Sequence, residues 1–167
     1  MEIVRYTELK NTKRHNLADV IPLAKPYTLL IEPSSSCNFR CRMCFQSAAQ
    51  EKFKDKRQTM DMALFRRIIE QAKAWGGERF KVLKLCIYGE PFTKPHFTEM
   101  LVLALAADIA DRIETTSNAS LLTEEICRGL VRGGLDYLRV SIYSAIPQKH
   151  LEITDSNVPM QRVHDNL

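Results

Sequence analysis

Short apolar runs alternate with longer amphipathic stretches along this 167-residue chain, and that alternation narrows its architecture more than any other feature. Thr28-Leu29-Leu30-Ile31 is an apolar run flanked by prolines, as expected of a buried strand. Residues 61–75 place Leu64, Phe65, Ile68, Ile69 and Ala72 on one helical stripe, with Asp61 able to cap the start and Gly76-Gly77 to end it. Residues 80–88 read as a second strand, in which Val82, Leu83, Leu85, Cys86 and Ile87 are nearly continuous. Pro95 fits the first turn of a helix that runs on through Leu105. This helix is apolar nearly all round, so heavy burial is expected. Residues 112–117, 123–132 and 137–143 then read as strand, helix and strand. Gly133-Gly134 stops that helix, and residues 159–167 begin another. Such an order calls for βαβ units and a parallel sheet. The fold class is α/β.

The length fits one domain, which should bury roughly 70% of the surface its unfolded chain exposes. An apolar share of 45% and a charged share of 26% exclude disordered and collagen-like classes. The net charge of +4 is too small and too scattered to argue for nucleic acid. No apolar run approaches the ~20 residues that span a bilayer. Residues 1–14 lack a signal-peptide core, so a cytoplasmic location is the default. Residues 1–26 read as a charged lead-in and residues 27–167 as the folded core.

Five cysteines, Cys37, Cys41, Cys44, Cys86 and Cys127, make an odd set with no disulfide framework. In a reducing compartment a tight thiol group points to metal or redox chemistry. Three of them form C-x-x-x-C-x-x-C directly after the first strand, in a segment (33–57) without sustained periodicity that reads as a functional loop. Thiolates in this spacing suit an iron–sulfur cluster or zinc. A closed zinc site needs a fourth ligand, which Cys86, Cys127 or a histidine would supply. Gly89-Glu90-Pro91 ends the second strand, Ser117-Asn118 the third, and Ser141 lies toward the end of the fourth. Each motif alone is an ordinary turn or loop feature. In parallel βα architectures, however, the carboxyl ends of the strands share one face, where ligands bind. Four such motifs behind a tri-cysteine loop converge there.

The constellation resembles the radical S-adenosylmethionine (radical SAM) superfamily, whose members carry a three-cysteine loop after the first strand of a partial (β/α)6 barrel. Cys37, Cys41 and Cys44 match the cluster ligands, and Tyr88-Gly89-Glu90-Pro91 matches the Gly-Gly-Glu-Pro-like motif after the second strand. Asn38 and Phe39, Thr115-Thr116-Ser117-Asn118 and Val140-Ser141-Ile142 are similar to further family segments. The resemblance implies a parallel partial TIM-type barrel, of which about four βα units are present, so the chain reads as a truncated or unusually short member. An unpaired fourth-strand edge is expected.

The implied cofactors are a 4Fe–4S cluster, with one iron open, and S-adenosylmethionine bound to that iron. The implied reaction is reductive cleavage to a 5′-deoxyadenosyl radical that abstracts hydrogen from an unidentified substrate. A one-electron donor such as flavodoxin or ferredoxin is implied as partner, with no membrane. By the same resemblance, backbone groups at Tyr88, Gly89 and Glu90 receive the methionine amino group, and Glu90, followed by Pro91, braces the turn. Met43 packs near adenine, and Ser141 with Asn118 reaches the ribose. Tyr88 stands where the family has its first glycine, Met43 where an aromatic is common, and Tyr143 where an aspartate is frequent. The alternatives are a zinc or metal-binding module without radical chemistry, and an inactive barrel fragment.

The remaining residues carry plainer expectations. Cys86, in an apolar strand, and Cys127, in a helix, read as core residues. His96 reads as a first-turn residue, and His15, His150 and His164 as surface or loop residues. Lys52, Lys54, Lys56 and Arg57, interleaved with Glu51 and Asp55, read as a solvated face, and Trp75 as packed on the exterior.

Overall fold

The computed structural model describes residues 16–48 and 57–167. Strands β1 (Thr28–Leu30), β2 (Val82–Lys84), β3 (Ile113–Ser117) and β4 (Tyr137–Val140) form one sheet in chain order, and every neighbouring pair is parallel. Parallel neighbours need a crossover to return the chain to the same end of the sheet. Those crossovers hold α1 (Phe45–Ala48), α2 (Met62–Ala74), α3 (Phe97–Ala107) and α4 (Glu124–Arg132), and α5 (Pro147–Thr154) and α6 (Met160–Asp165) follow β4. β1 and β4 are the sheet's edges. No helix among the described residues is long and apolar enough to cross a membrane.

The helix boundaries follow local chemistry. Asp61 accepts the Leu64 N–H at 2.7 Å to start α2, and Gly76 and Gly77, both at φ +70°, end it in a conformation that costs a residue with a Cβ. Thr123 caps α4 by accepting from the Ile126 N–H. Leu83, Leu85 and Ile113 of the sheet region pack against Phe65 and Ile69 of α2, Phe97, Met100 and Leu101 of α3, Leu130 of α4 and Val163 of α6. Burying each such side chain contributes about 1.5–3 kcal/mol. Cys86 is buried and Cys127 packs against this core, while exposed Trp75 meets Phe80 edge-on.

Several expectations are corrected. β2 spans three residues, not nine. Leu85 still donates to the Glu114 carbonyl, but the N–H groups of Ile87, Tyr88 and Gly89 turn to the Glu32 carboxylate instead of a neighbouring strand. β4 ends at Val140 because β3 ends opposite it, leaving Ser141 N–H to Ser117 O as the last rung. Pro95 precedes the N-cap His96 rather than entering α3, since a 3-10 turn at Pro91–Thr93 intervenes. α3 is not buried all round: Val102 and Leu105 are about half exposed, on positions that do not join the core cluster.

Helix α5 was not anticipated. It starts on Pro147 without a side-chain cap, and its sequence has no strong apolar stripe. It carries the firmest correction, to His150, which is 1% exposed and stacks edge-on against Phe39 at 5.9 Å. Among the described residues neither ring nitrogen has a hydrogen-bond partner. His15, residues 51–56 and the first part of the lead-in lie outside the described residues.

Candidate active site

The cysteine loop is fixed from three sides before any ligand is considered. At its start, Ser35 N–H donates to the Gln58 carbonyl and Met60 N–H to the Pro33 carbonyl. In its middle, Arg40 N–H and Arg42 N–H, either side of Cys41, donate to Thr154 O and Ile153 O at 3.0 and 2.9 Å. These are carbonyls of the last turn of α5, which have no partners within their own helix. At its end, Cys44 N–H donates to Cys41 O, and α1 begins on the next residue.

The Gly-Glu-Pro turn docks on the same loop. Glu90 N–H donates to Ser36 O at 2.8 Å, and the Ser34 and Thr93 hydroxyls meet at 2.9 Å. The approach at Gly89 is so close that a Cβ there would lie 1.8 Å from Ser34 O. Only glycine fits.

Beneath the turn, Glu32 accepts from Ile87, Tyr88 and Gly89 N–H at 3.4, 2.6 and 3.2 Å. A trans peptide points its carbonyl opposite its N–H. The carbonyls of Cys86, Ile87 and Tyr88 are therefore turned away from Glu32.

Glu90 itself is 2% exposed and ties the turn to the end of β3. It accepts from Ser117 Oγ at 2.7 Å, Asn118 N–H at 2.8 Å and, more weakly, Phe92 N–H. Burial still pushes its carboxyl above the usual range, against those donors. Asn118 then reaches back to the first cysteine, donating to Asn38 Oδ1 at 3.0 Å and lying 3.8 Å from Cys37 Sγ.

These tethers bring Cys37, Cys41, Cys44, Tyr88, Gly89, Glu90, Asn118 and Ser141 around one cavity of about 390 Å³. Met43 projects into solvent and Pro91 is buried in the 3-10 turn, so neither lines it. The lining also includes Cys86, Lys84, Thr116, Arg139 and Tyr143.

Burial, and then the nearby thiols of Cys37 and Cys44, push Cys41 up to about 11. Burial raises Cys37 as well, with Glu90 and Cys44 adding to it. Cys86 is pushed up to about 12, chiefly by burial. The Tyr143 hydroxyl is raised by burial and by the three loop cysteines, with Ser141 opposing the shift. Each loop thiol that binds a metal must give up its proton, so binding here releases protons.

Donors of this chemistry fit an iron–sulfur cluster. Around one zinc ion the sulfurs would stand about 3.8 Å apart, from Zn–S bonds of about 2.3 Å. Among the described residues no three His, Cys, Asp or Glu side chains gather tightly enough to hold a single ion. Iron–sulfur clusters are held by cysteine thiolates, and three cysteines line this one cavity.

Residues 31–167 match the family model described as the radical SAM superfamily. The chain belongs to that superfamily. Radical SAM proteins use a 4Fe–4S cluster and S-adenosylmethionine. A 117-residue stretch is 33% identical to the tungsten-containing aldehyde ferredoxin oxidoreductase cofactor-modifying protein of Pyrococcus furiosus, covering 68% of this chain and 30% of that protein. A 144-residue stretch is 24% identical to the GTP 3′,8-cyclase of Aquifex aeolicus, covering 86% and 43%. The matched stretches thus cover 30% and 43% of these curated relatives, less than half of each. Its fold is that of BtrN in complex with AdoMet and 2-DOIA (TM-score 0.61, 21% identity, 78% of this chain and 51% of that one). It is also that of Streptococcus suis SuiB bound to S-adenosylmethionine (TM-score 0.61, 21% identity, 85% and 29%). These are radical SAM partial barrels, as the family resemblance implied.

Sequence reasoning missed Glu32, Lys84, Arg139 and α5. A carboxylate immediately after an apolar strand run was the available signal for Glu32. Lys84 and Arg139, charged residues at alternating positions within strands, were the signal for a polar sheet face.

Proposed function

We propose that Cys37, Cys41 and Cys44 hold a 4Fe–4S cluster and that the chain is the core of a radical SAM enzyme. Residues 27–167 form that core and residues 1–26 a lead-in. The cluster and S-adenosylmethionine, when bound, supply by one-electron reduction a 5′-deoxyadenosyl radical that takes hydrogen from a substrate. The chain's own part is placement. Glu32 sets the 87–89 peptide planes so that their carbonyls can receive an ammonium group. Glu90 fixes the end of β3 relative to that turn. Ser141 and Asn118 offer polar groups at the cavity rim for ribose, and Tyr143 covers the thiols. Met43, exposed beside Cys44, is free to fold over adenine. The electron comes from a small donor such as flavodoxin or ferredoxin, and the protein works in the cytoplasm.

The observation that carries this reading is the single cavity shared by three loop cysteines and the glycine-bearing turn. Anaerobic reconstitution with iron and sulfide should give a brown protein with near four irons per chain, which Cys41→Ala loses. With dithionite and S-adenosylmethionine it should then yield 5′-deoxyadenosine. A wild-type chain that stays colourless, or binds one zinc tightly in place of iron, refutes the reading.

A further inference from the structure

The sheet face that lines the cavity carries two cations. Lys84 of β2 and Arg139 of β4 both line the cavity that the loop cysteines border. They share the parity of Cys86 and Ser141 along their strands, opposite to core residues Leu83 and Leu138. Lys84 is half-buried, and among the described residues its ammonium has no hydrogen-bond or ion-pair partner. Its register partner on β3, Glu114, is bonded to Arg112 at 3.1 Å. Arg139 lies with its guanidinium carbon 5.9 Å from the Tyr137 ring centre.

Among the described residues, the cavity lining offers little to neutralise the Lys84 charge. Glu90 is the lone carboxylate in its described lining, and its oxygens are committed to Ser117, Asn118 and Phe92. A half-buried ammonium without a counter-charge is a cost that an incoming anion relieves. The spacing suits one ligand. β2 and β4 are two strands apart, roughly 10 Å, and Arg139 sits opposite Thr116, two residues beyond the Glu114 that faces Lys84, roughly 7 Å along the strands. The two α-carbons are thus roughly 12 Å apart, a gap that two long side chains close around a single anionic group.

From this geometry we propose that the cavity takes a substrate bearing a phosphate or carboxylate group, held between Lys84 and Arg139. Its meaning as substrate recognition rests on the radical SAM reading. Anion binding itself does not, because neither cation depends on the cluster.

The test uses reduced, cluster-free protein titrated calorimetrically with inorganic pyrophosphate and, separately, with citrate. Wild type should bind at least one of them, and which one binds tells phosphate from carboxylate. Lys84→Gln and Arg139→Gln should each weaken that binding about tenfold or more, while Lys84→Arg, which keeps the charge, should retain most of it. Circular dichroism establishes that each variant is folded; if one is not, the other supplies the comparison. No binding of either anion by wild type up to about 10 mM, or equal binding by folded glutamine variants, overturns the proposal. Failure of cluster reconstitution would instead strike the enzymatic reading and leave this result standing.

Discussion

Replacing Gly89 by alanine should undo the docking on which the site depends. The new Cβ would lie 1.8 Å from Ser34 O and 2.8 Å from Ser36 O, against a floor of 3.0 Å for real contacts. Both obstacles are backbone, so no rotamer change relieves them, and the turn must move about 1.2 Å from the cysteine loop. Overpacking of this kind costs about 1–3 kcal/mol. Loss of the Glu90 N–H to Ser36 O bond adds about 1 kcal/mol. A total near 3 kcal/mol lowers Tm by roughly 6–12 °C in a chain of this size. Gly76→Ala is the control: it has nothing within 4 Å of its Cβ and pays only for φ +70°, about 1 kcal/mol. Thermal melts of the cluster-free proteins, followed by iron and sulfide analysis after reconstitution, read both effects. Gly89→Ala should melt lowest and load little iron, whereas Gly76→Ala should load fully. A Gly89→Ala protein that melts within a degree of wild type and takes up four irons would refute the argument.

Three further outcomes follow from the tethers. Glu32→Ala frees the 87–89 N–H groups and should weaken S-adenosylmethionine binding about tenfold in reconstituted protein while iron content holds, read by equilibrium dialysis. Glu90 has a folded-state pKa raised above 4.5 by burial. The stability it contributes is therefore present below pH 4.5 and lost as pH rises through the folded value, so the Tm of wild type minus that of Glu90→Gln should fall over that window. His150→Leu removes two buried nitrogens that have no partners among the described residues and should melt no lower than wild type; a clear fall in Tm would show that the imidazole is bonded.

The legibility of this protein in its sequence varied from residue to residue. Asp61 and the paired glycines marked helix ends correctly because such end signals are local, Asp61 capping a residue three positions on. The end of β2 was misplaced because Cys86 and Ile87 are apolar enough to continue a strand, and only Glu32, more than fifty residues earlier, draws the chain out of the sheet. His150 was misread for a similar reason. Its helix has a weak apolar stripe, and its burial comes from Phe39 across the fold.

The sequence alone determined the order of strands and helices, the parallel sheet they imply and the three thiols set at one end of it. These follow from periodicity and spacing within short windows. The tertiary structure decided what holds those thiols in place: the last carbonyls of α5 on either side of Cys41, the bare approach of Gly89 to Ser34, and the Glu90 link to β3. It also decided that Lys84 and Arg139 face the same cavity. The physical reason is that an unpaired backbone group or charge accepts any partner of suitable chemistry, and only the folded chain determines which one comes within reach.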